Sequence, residues 1–82
     1  MNKIISRELF KSLILRYQSE IQEGRSILQI YLKNPVGIGE HPQHLDEMDS
    51  QLNKISEAND KLEELMTNHY DEYHELISTK NK

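Results

Sequence analysis

Residues 45–76 read LDEMDSQLNKISEANDKLEELMTNHYDEYHEL and show the most regular hydrophobic spacing of the chain. Ten positions follow one another in it at alternating steps of three and four residues, a mean spacing of about 3.5 that is typical of a coiled-coil seam, the strip of a helix that packs on a partner helix. The predicted seam consists of Leu45, Met48, Leu52, Ile55, Asn59, Leu62, Met66, His69, Tyr73 and Leu76. Pro42 suits a first helical turn, and no glycine or proline follows it. The sequence therefore predicts one long helix over about residues 42–78.

The preceding residues show the same spacing. Here the predicted seam consists of Phe10, Ile14, Tyr17, Ile21, Gly24, Leu28 and Tyr31. Ser6 is a suitable N-cap, and Asn34 precedes Pro35, which disfavours helical backbone at Asn34. We therefore predict a first helix over about residues 6–33.

Residues 34–41 are left as a short loop, which forces the two helices to run antiparallel. Laid side by side, they bring Ile21 near Ile55 and Leu28 near Met48. Gly24 then predicts a close approach of the helices, with Leu52 or Ile55 filling the gap. The expected fold is all-α, a single coiled-coil-like hairpin domain spanning residues 1–82.

The predicted hairpin leaves apolar side chains that one chain alone does not cover. Helix 1 carries a second apolar stripe, and helix 2 extends beyond helix 1. A homodimeric four-helix bundle with helix 1 at its centre, or a higher homo-oligomer, would bury both. The residues expected at this oligomer interface are Leu9, Leu13, Ile27, Ile30, Tyr70, Tyr73, Leu76 and Ile77.

Two polar residues interrupt the predicted seam of helix 2. A buried Asn59 close to the Tyr17 hydroxyl would act as a register pin, weakening the coiled coil but selecting its alignment. A role of Asn59 in ligand binding is the alternative. His69 is expected to be a hydrogen-bonded boundary residue near Arg7 or Phe10, rather than a metal ligand with His74.

Composition narrows the function classes. The 82 residues include no cysteine, which excludes disulfides and cysteine-ligated zinc, and no apolar run is long enough to span a bilayer. No signal peptide is recognisable, so a cytoplasmic protein is expected.

The net charge of −4 combines +3 in residues 1–33 (six Lys and Arg, three Glu) with −7 in residues 34–82 (four Lys, eleven Asp and Glu). Either the two segments attract each other, or the acidic one forms a binding surface. Direct nucleic-acid binding is not expected without a strongly basic face.

The loop is itself a candidate site. Its glycines permit a backbone anion nest, although the Gly-x-Gly pattern lacks the strand and third glycine of a dinucleotide fingerprint. His41 and His44 could hold a metal with Glu40 or Asp46, but a capping and solvent-exposed role for the two histidines is favoured. We expect a protein-contacting loop without a cofactor, formed by Val36, Gly37, Ile38, Gly39, Glu40 and His41.

The stretch IYLKNPVGIGEHP, followed by the acidic segment QHLDEMD, resembles small uncharacterised helical proteins of T4-like tailed bacteriophages, including those of marine cyanobacteria. The resemblance covers about residues 27–65. It implies a viral accessory protein made in a bacterial cytoplasm and carries over no catalytic residue.

These observations predict a non-enzymatic protein that binds a protein partner, such as a host factor, through the loop and the acidic helix. No Ser-His-Asp arrangement, cysteine nucleophile or paired inward carboxylates point to an enzyme. Two alternatives stay open. One is sequestration of a small anionic ligand or nucleotide signal at oligomer interfaces, and the other is a structural or assembly role in the phage particle.

Overall fold

The chain forms two long antiparallel helices that pack against each other. The computed structural model describes residues 3–33, 43–72 and 74; of these, 97% are helical and none lies in a strand. Helix α1 spans Lys3–Lys33 and helix α2 spans His44–Asn68. The chain is an elongated rod of 59 × 20 × 19 Å. Neither described helix is both long and apolar enough to cross a membrane. The prediction of an all-α helical hairpin is confirmed.

Three of the helix ends differ from the predicted ones. α1 is already helical at Lys3, so Ser6 lies inside the helix and is not its N-cap. α2 begins at His44, where the Glu47 N–H donates a hydrogen bond of 2.9 Å to the Gln43 carbonyl oxygen. α2 ends at Asn68 because the chain bends at His69, and the last part of the predicted helix, residues 75–78, lies outside the described residues.

The bend is confined to the backbone of His69, and the His69 side chain contacts residues on both sides of it. The backbone of His69, at φ −128° and ψ 1°, leaves the helical region, while its N–H still donates to the Leu65 carbonyl oxygen at 3.1 Å. Its imidazole contacts Glu64 on one side of the bend and Glu72 on the other. Residues 70–72 and 74 are helical again. The two carboxylates therefore hold the ring across the bend.

The seam of α1 is the predicted one. Ile21 and Gly24 are buried at its centre, and its remaining members are half-buried: Phe10, Ile14, Tyr17, Leu28 and Tyr31. Seven residues at alternating steps of four and three thus face α2, as the spacing predicts.

The seam of α2 is rotated from the predicted one. Met48, Ile55, Leu62 and His69 are half-buried, in agreement with the prediction. The intervening positions are filled by His44, Gln51, Ala58 and Leu65, whereas Leu45, Leu52, Asn59 and Met66 are exposed. Both sets alternate steps of three and four around the same four residues, and the prediction chose the more apolar set. Leu45, exposed over 76% of its surface, shows how far that face points from α1.

The core at the centre of the hairpin is small. A Cβ placed on Gly24 would lie 2.7 Å from Ile55 Cγ1 and 3.3 Å from the Gln51 carbonyl oxygen. The predicted close approach at Gly24 is therefore present, with Ile55 filling the gap. Among the described residues only Ile21 and Ala58 are buried hydrophobic side chains.

Candidate functional site

The outward side of α2 carries one sign of charge. We call Asp46, Asp49, Glu57, Asp60 and Glu63 the acidic face; all five are exposed. The two lysines of α2 point towards α1 instead. Lys54 forms an ion pair with Glu23, and Lys61 Nζ lies 5.6 Å from the centre of the Tyr17 ring. None of the five carboxylates of the acidic face takes part in an ion pair within the described residues.

In the described residues no ion pair joins a base of α1 to an acid of α2, although the two helices carry opposite net charges. Within the described residues the only ion pair between α1 and α2 is Glu23–Lys54, which joins an acid of the basic helix to a base of the acidic helix. The other two ion-pair groups are local, Arg7 with Glu8 and His69 with Glu64 and Glu72. Direct pairing of the two oppositely charged segments is therefore absent from this part of the chain, and the acidic face stays open to solvent.

A second stripe runs along one side of α1. We call it the side stripe, and its members are Leu9, Leu13, Arg16, Glu20, Glu23, Ile27 and Ile30. Leu13 and Ile27 are half-buried, whereas Leu9 and Ile30 are exposed over 57% and 52% of their surfaces. The four α1 residues predicted at an oligomer interface are thus partly or largely accessible in the single chain.

The predicted interface residues after α2 are described only in part. Tyr70 is at the surface, with its ring centre 6.1 Å from that of His74. Tyr73, Leu76 and Ile77 lie outside the described residues.

The predicted partner-binding loop, Val36 to His41, also lies outside the described residues, so its role stays a prediction. The helix ends that flank it are described. Tyr31 and His44 meet edge to face there, with ring centres 5.6 Å apart. Leu32 follows Tyr31 in the chain, Leu45 follows His44, and both leucines are exposed.

Asn59 does not occupy the seam of the hairpin. It is exposed, and the neighbouring Ala58 is the buried residue at that level. Tyr17 is half-buried and contacts Lys61. The seam position predicted for Asn59 is therefore corrected to Ala58, and a register pin inside the hairpin finds no support from the exposed Asn59 side chain.

His69 lies between two carboxylates. Its Nε2 is 3.0 Å from Glu64 Oε2 and its Nδ1 is 3.2 Å from Glu72 Oε1. Hydrogen bonding to Glu72, and then to Glu64, raises the pKa of His69, because only the protonated ring donates to both carboxylates. Phe10 and Leu65 line the same shallow groove as His69. His69 is therefore the hydrogen-bonded boundary residue near Phe10 that the sequence predicts. No three His, Asp or Glu side chains in the described part of the chain are grouped so as to hold a metal ion.

Comparison with known proteins adds no family to this geometry. No family model matches the chain, and neither a curated protein nor a solved structure shows significant similarity to it. The resemblance to proteins of T4-like bacteriophages therefore stays a prediction from the sequence.

Proposed function

We propose that this chain is a non-enzymatic accessory protein that binds a basic surface of a protein partner through the acidic face of α2. The loop formed by Val36 to His41 would supply further contacts beside it. As the phage resemblance implies, the protein would act in the cytoplasm of a bacterial host, and its partner would be a host factor. The observation that carries the proposal is that no carboxylate of the acidic face takes part in an ion pair within the described residues, while Lys54 and Lys61 both contact α1.

Electrostatics explains how such a face would work. A row of negatively charged carboxylates along a helix attracts a basic partner and favours one orientation of that partner on the helix. The same charges repel nucleic acid, so the face suits a partner surface that itself binds phosphates. Because the carboxylates are exposed, binding should weaken as salt screens them, over a distance of about 8 Å at physiological ionic strength.

We further propose that the chain is a homo-oligomer. Two buried hydrophobic side chains in the described residues form a small core for an 82-residue chain, and short chains commonly need a staple or a partner. Large hydrophobic side chains of the described helices are exposed as well, among them Leu9, Ile30 and Leu45. A second copy of the chain would cover part of this apolar surface.

A capture experiment with charge variants tests the binding proposal. Tagged chain would be incubated with lysate of infected bacteria, and bound proteins identified at low and high salt. The test variant combines Asp49→Asn, Asp60→Asn and Glu63→Gln. The matched control alters uncharged exposed residues of the same helix, Asn53→Ala, Ser56→Ala and Thr67→Ala.

We expect one or a few proteins to be retained by wild type and by the control, and to be lost from the test variant and at high salt. Loop variants Ile38→Ser and His41→Ala should weaken the same capture without lowering the melting temperature. Capture that is equal for all variants and independent of salt would contradict the proposal.

A further inference from the structure

We propose that two copies of this chain associate antiparallel through the side stripe of α1, with the two-fold axis crossing α1 near residues 18–20. This inference rests on the proposed homo-oligomer and names its geometry. The occupant of the stripe is a second copy of the same stripe.

The first argument is the position of the stripe on the helix. Each of its residues directly precedes a residue of the α1 seam, as Leu9 precedes Phe10 and Ile30 precedes Tyr31. A shift by one residue turns the direction by about 100° around the helix axis. A chain on the side stripe therefore lies about a quarter-turn from α2. This is the arrangement of neighbouring helices in a four-helix bundle.

The second argument is the order of residues along the stripe. Its two ends are apolar, with Leu9 and Leu13 at one end and Ile27 and Ile30 at the other. Its middle is charged. An antiparallel second copy brings each apolar end against the opposite apolar end, and each such contact occurs twice because a two-fold interface is isologous.

The third argument is the charge in the middle of the stripe. Within the described residues neither Arg16 nor Glu20 takes part in an ion pair. Antiparallel pairing around residues 18–20 places Arg16 near Glu20 of the partner subunit, and places Glu20 near Arg16 of the partner subunit. A parallel arrangement would set like charges against each other at both positions, which is unfavourable. The charges therefore select the antiparallel orientation.

Cysteine crosslinking tests the orientation directly, because the chain has no cysteine of its own. Under mild oxidation we expect a mixture of Arg16→Cys and Glu20→Cys chains to form the mixed dimer, because the interface brings these two positions together. Leu9→Cys alone should not crosslink with itself, because the two copies of residue 9 lie near opposite ends of the interface. A mixture of Leu9→Cys and Ile30→Cys chains should form the mixed dimer. Gln18→Cys, exposed and on the side of α1 opposite to the stripe, is the matched control and should stay uncrosslinked.

A charge exchange tests the chemistry of the interface. Arg16→Glu and Glu20→Arg should each weaken dimerisation by about 10-fold, since each creates two like-charge contacts in place of two ion pairs. The double variant should recover dimerisation, which a merely structural role of either residue would not predict. Circular dichroism would verify that each variant remains helical.

The mass of the wild-type chain in solution, from light scattering at micromolar concentration, completes the test. A monomeric mass would overturn both the inference and the proposed homo-oligomer. An oligomeric mass with self-crosslinking of Leu9→Cys, or without crosslinking between Leu9→Cys and Ile30→Cys, would overturn only the antiparallel stripe. Both results are independent of capture by the acidic face, so failure of one proposal is distinguishable from failure of the other.

Discussion

Gly24 and Ile55 face each other where the two helices are so close that position 24 has no room for a side chain. A Cβ on Gly24 would lie 2.7 Å from Ile55 Cγ1, inside the contact distance that real Cβ atoms keep. Three residues away in each direction, the same antiparallel register brings Ile21 opposite Ala58, and these are the two buried hydrophobic residues. Glycine and alanine at the centre thus let the helices approach closely.

Replacing Gly24 by alanine should destabilise the hairpin although alanine favours the helix. The gain in helix propensity is about 1 kcal/mol, and overpacking of a fitted interface costs about 1–3 kcal/mol. Cγ1 is the inner atom of the Ile55 side chain and has little room to move away. We expect a net loss of up to about 2 kcal/mol in the free energy of unfolding, measured with urea. The exposed Ser19→Ala is the control. A Gly24→Ala chain more stable than wild type would show that the helices do not approach closely here.

Two adjacent residues of α2 should differ in their sensitivity to substitution by leucine. Ala58 is 2% exposed, so Ala58→Leu inserts a large side chain between the helices and should lower stability by about 1–3 kcal/mol. Asn59 is exposed, so Asn59→Leu should change stability by no more than about 0.5 kcal/mol. Thermal unfolding of both variants would measure the difference. If Asn59→Leu proves the more damaging of the two, the rotation of α2 described above is wrong.

The contacts of His69 should make the bend after α2 sensitive to pH. The folded-state pKa is raised above the ordinary value of 6.5, first by Glu72 and then by Glu64. The protonated ring therefore contributes stability that is fully present below pH 6.5 and is lost as the pH rises through the folded-state pKa. Titration of the His69 ring protons by nuclear magnetic resonance should give a pKa above 6.5.

Variants of the two carboxylates identify the origin of this shift. Glu72→Gln should lower the pKa of His69, and Glu64→Gln should do so as well. Glu63→Gln is the control, because Glu63 is an exposed carboxylate of the same helix that forms no ion pair with His69. A pKa of His69 that is unchanged in both Glu72→Gln and Glu64→Gln would mean that these contacts are not kept in solution.

The Glu23–Lys54 ion pair should contribute little to stability. Its side chains are exposed over 57% and 33% of their surfaces, and ion pairs at such positions contribute about 0.2–1 kcal/mol. A double-mutant cycle of Glu23→Gln and Lys54→Met, followed by urea unfolding at low and high salt, should give a coupling energy in that range that decreases with salt. A larger coupling, insensitive to salt, would indicate that the pair is shielded from solvent.

Spacing in the sequence was enough to predict two helices and the residues of α1 that pack on α2. Every position of the α1 seam from Phe10 to Tyr31 is apolar, aromatic or glycine, so one spacing accounts for them all. The proline after Asn34 predicts that α1 ends near Lys33, and α1 is helical up to that residue, the last one described before the loop. The second apolar stripe of α1 was also recognisable, because Leu9, Leu13, Ile27 and Ile30 repeat beside the seam.

The rotation of α2 about its own axis could not be predicted from its sequence and follows from its packing on α1. Two strips of α2 share Met48, Ile55, Leu62 and His69, and hydrophobicity favours the one with Leu45, Leu52 and Met66. The structure buries Ala58 instead and leaves those three side chains exposed. The rotation is set by the space that α1 leaves for the side chains of α2. A helix pair that closes on Gly24 has room for a small residue opposite Ile21, and that requirement depends on the facing surface, which a single helix's periodicity does not contain.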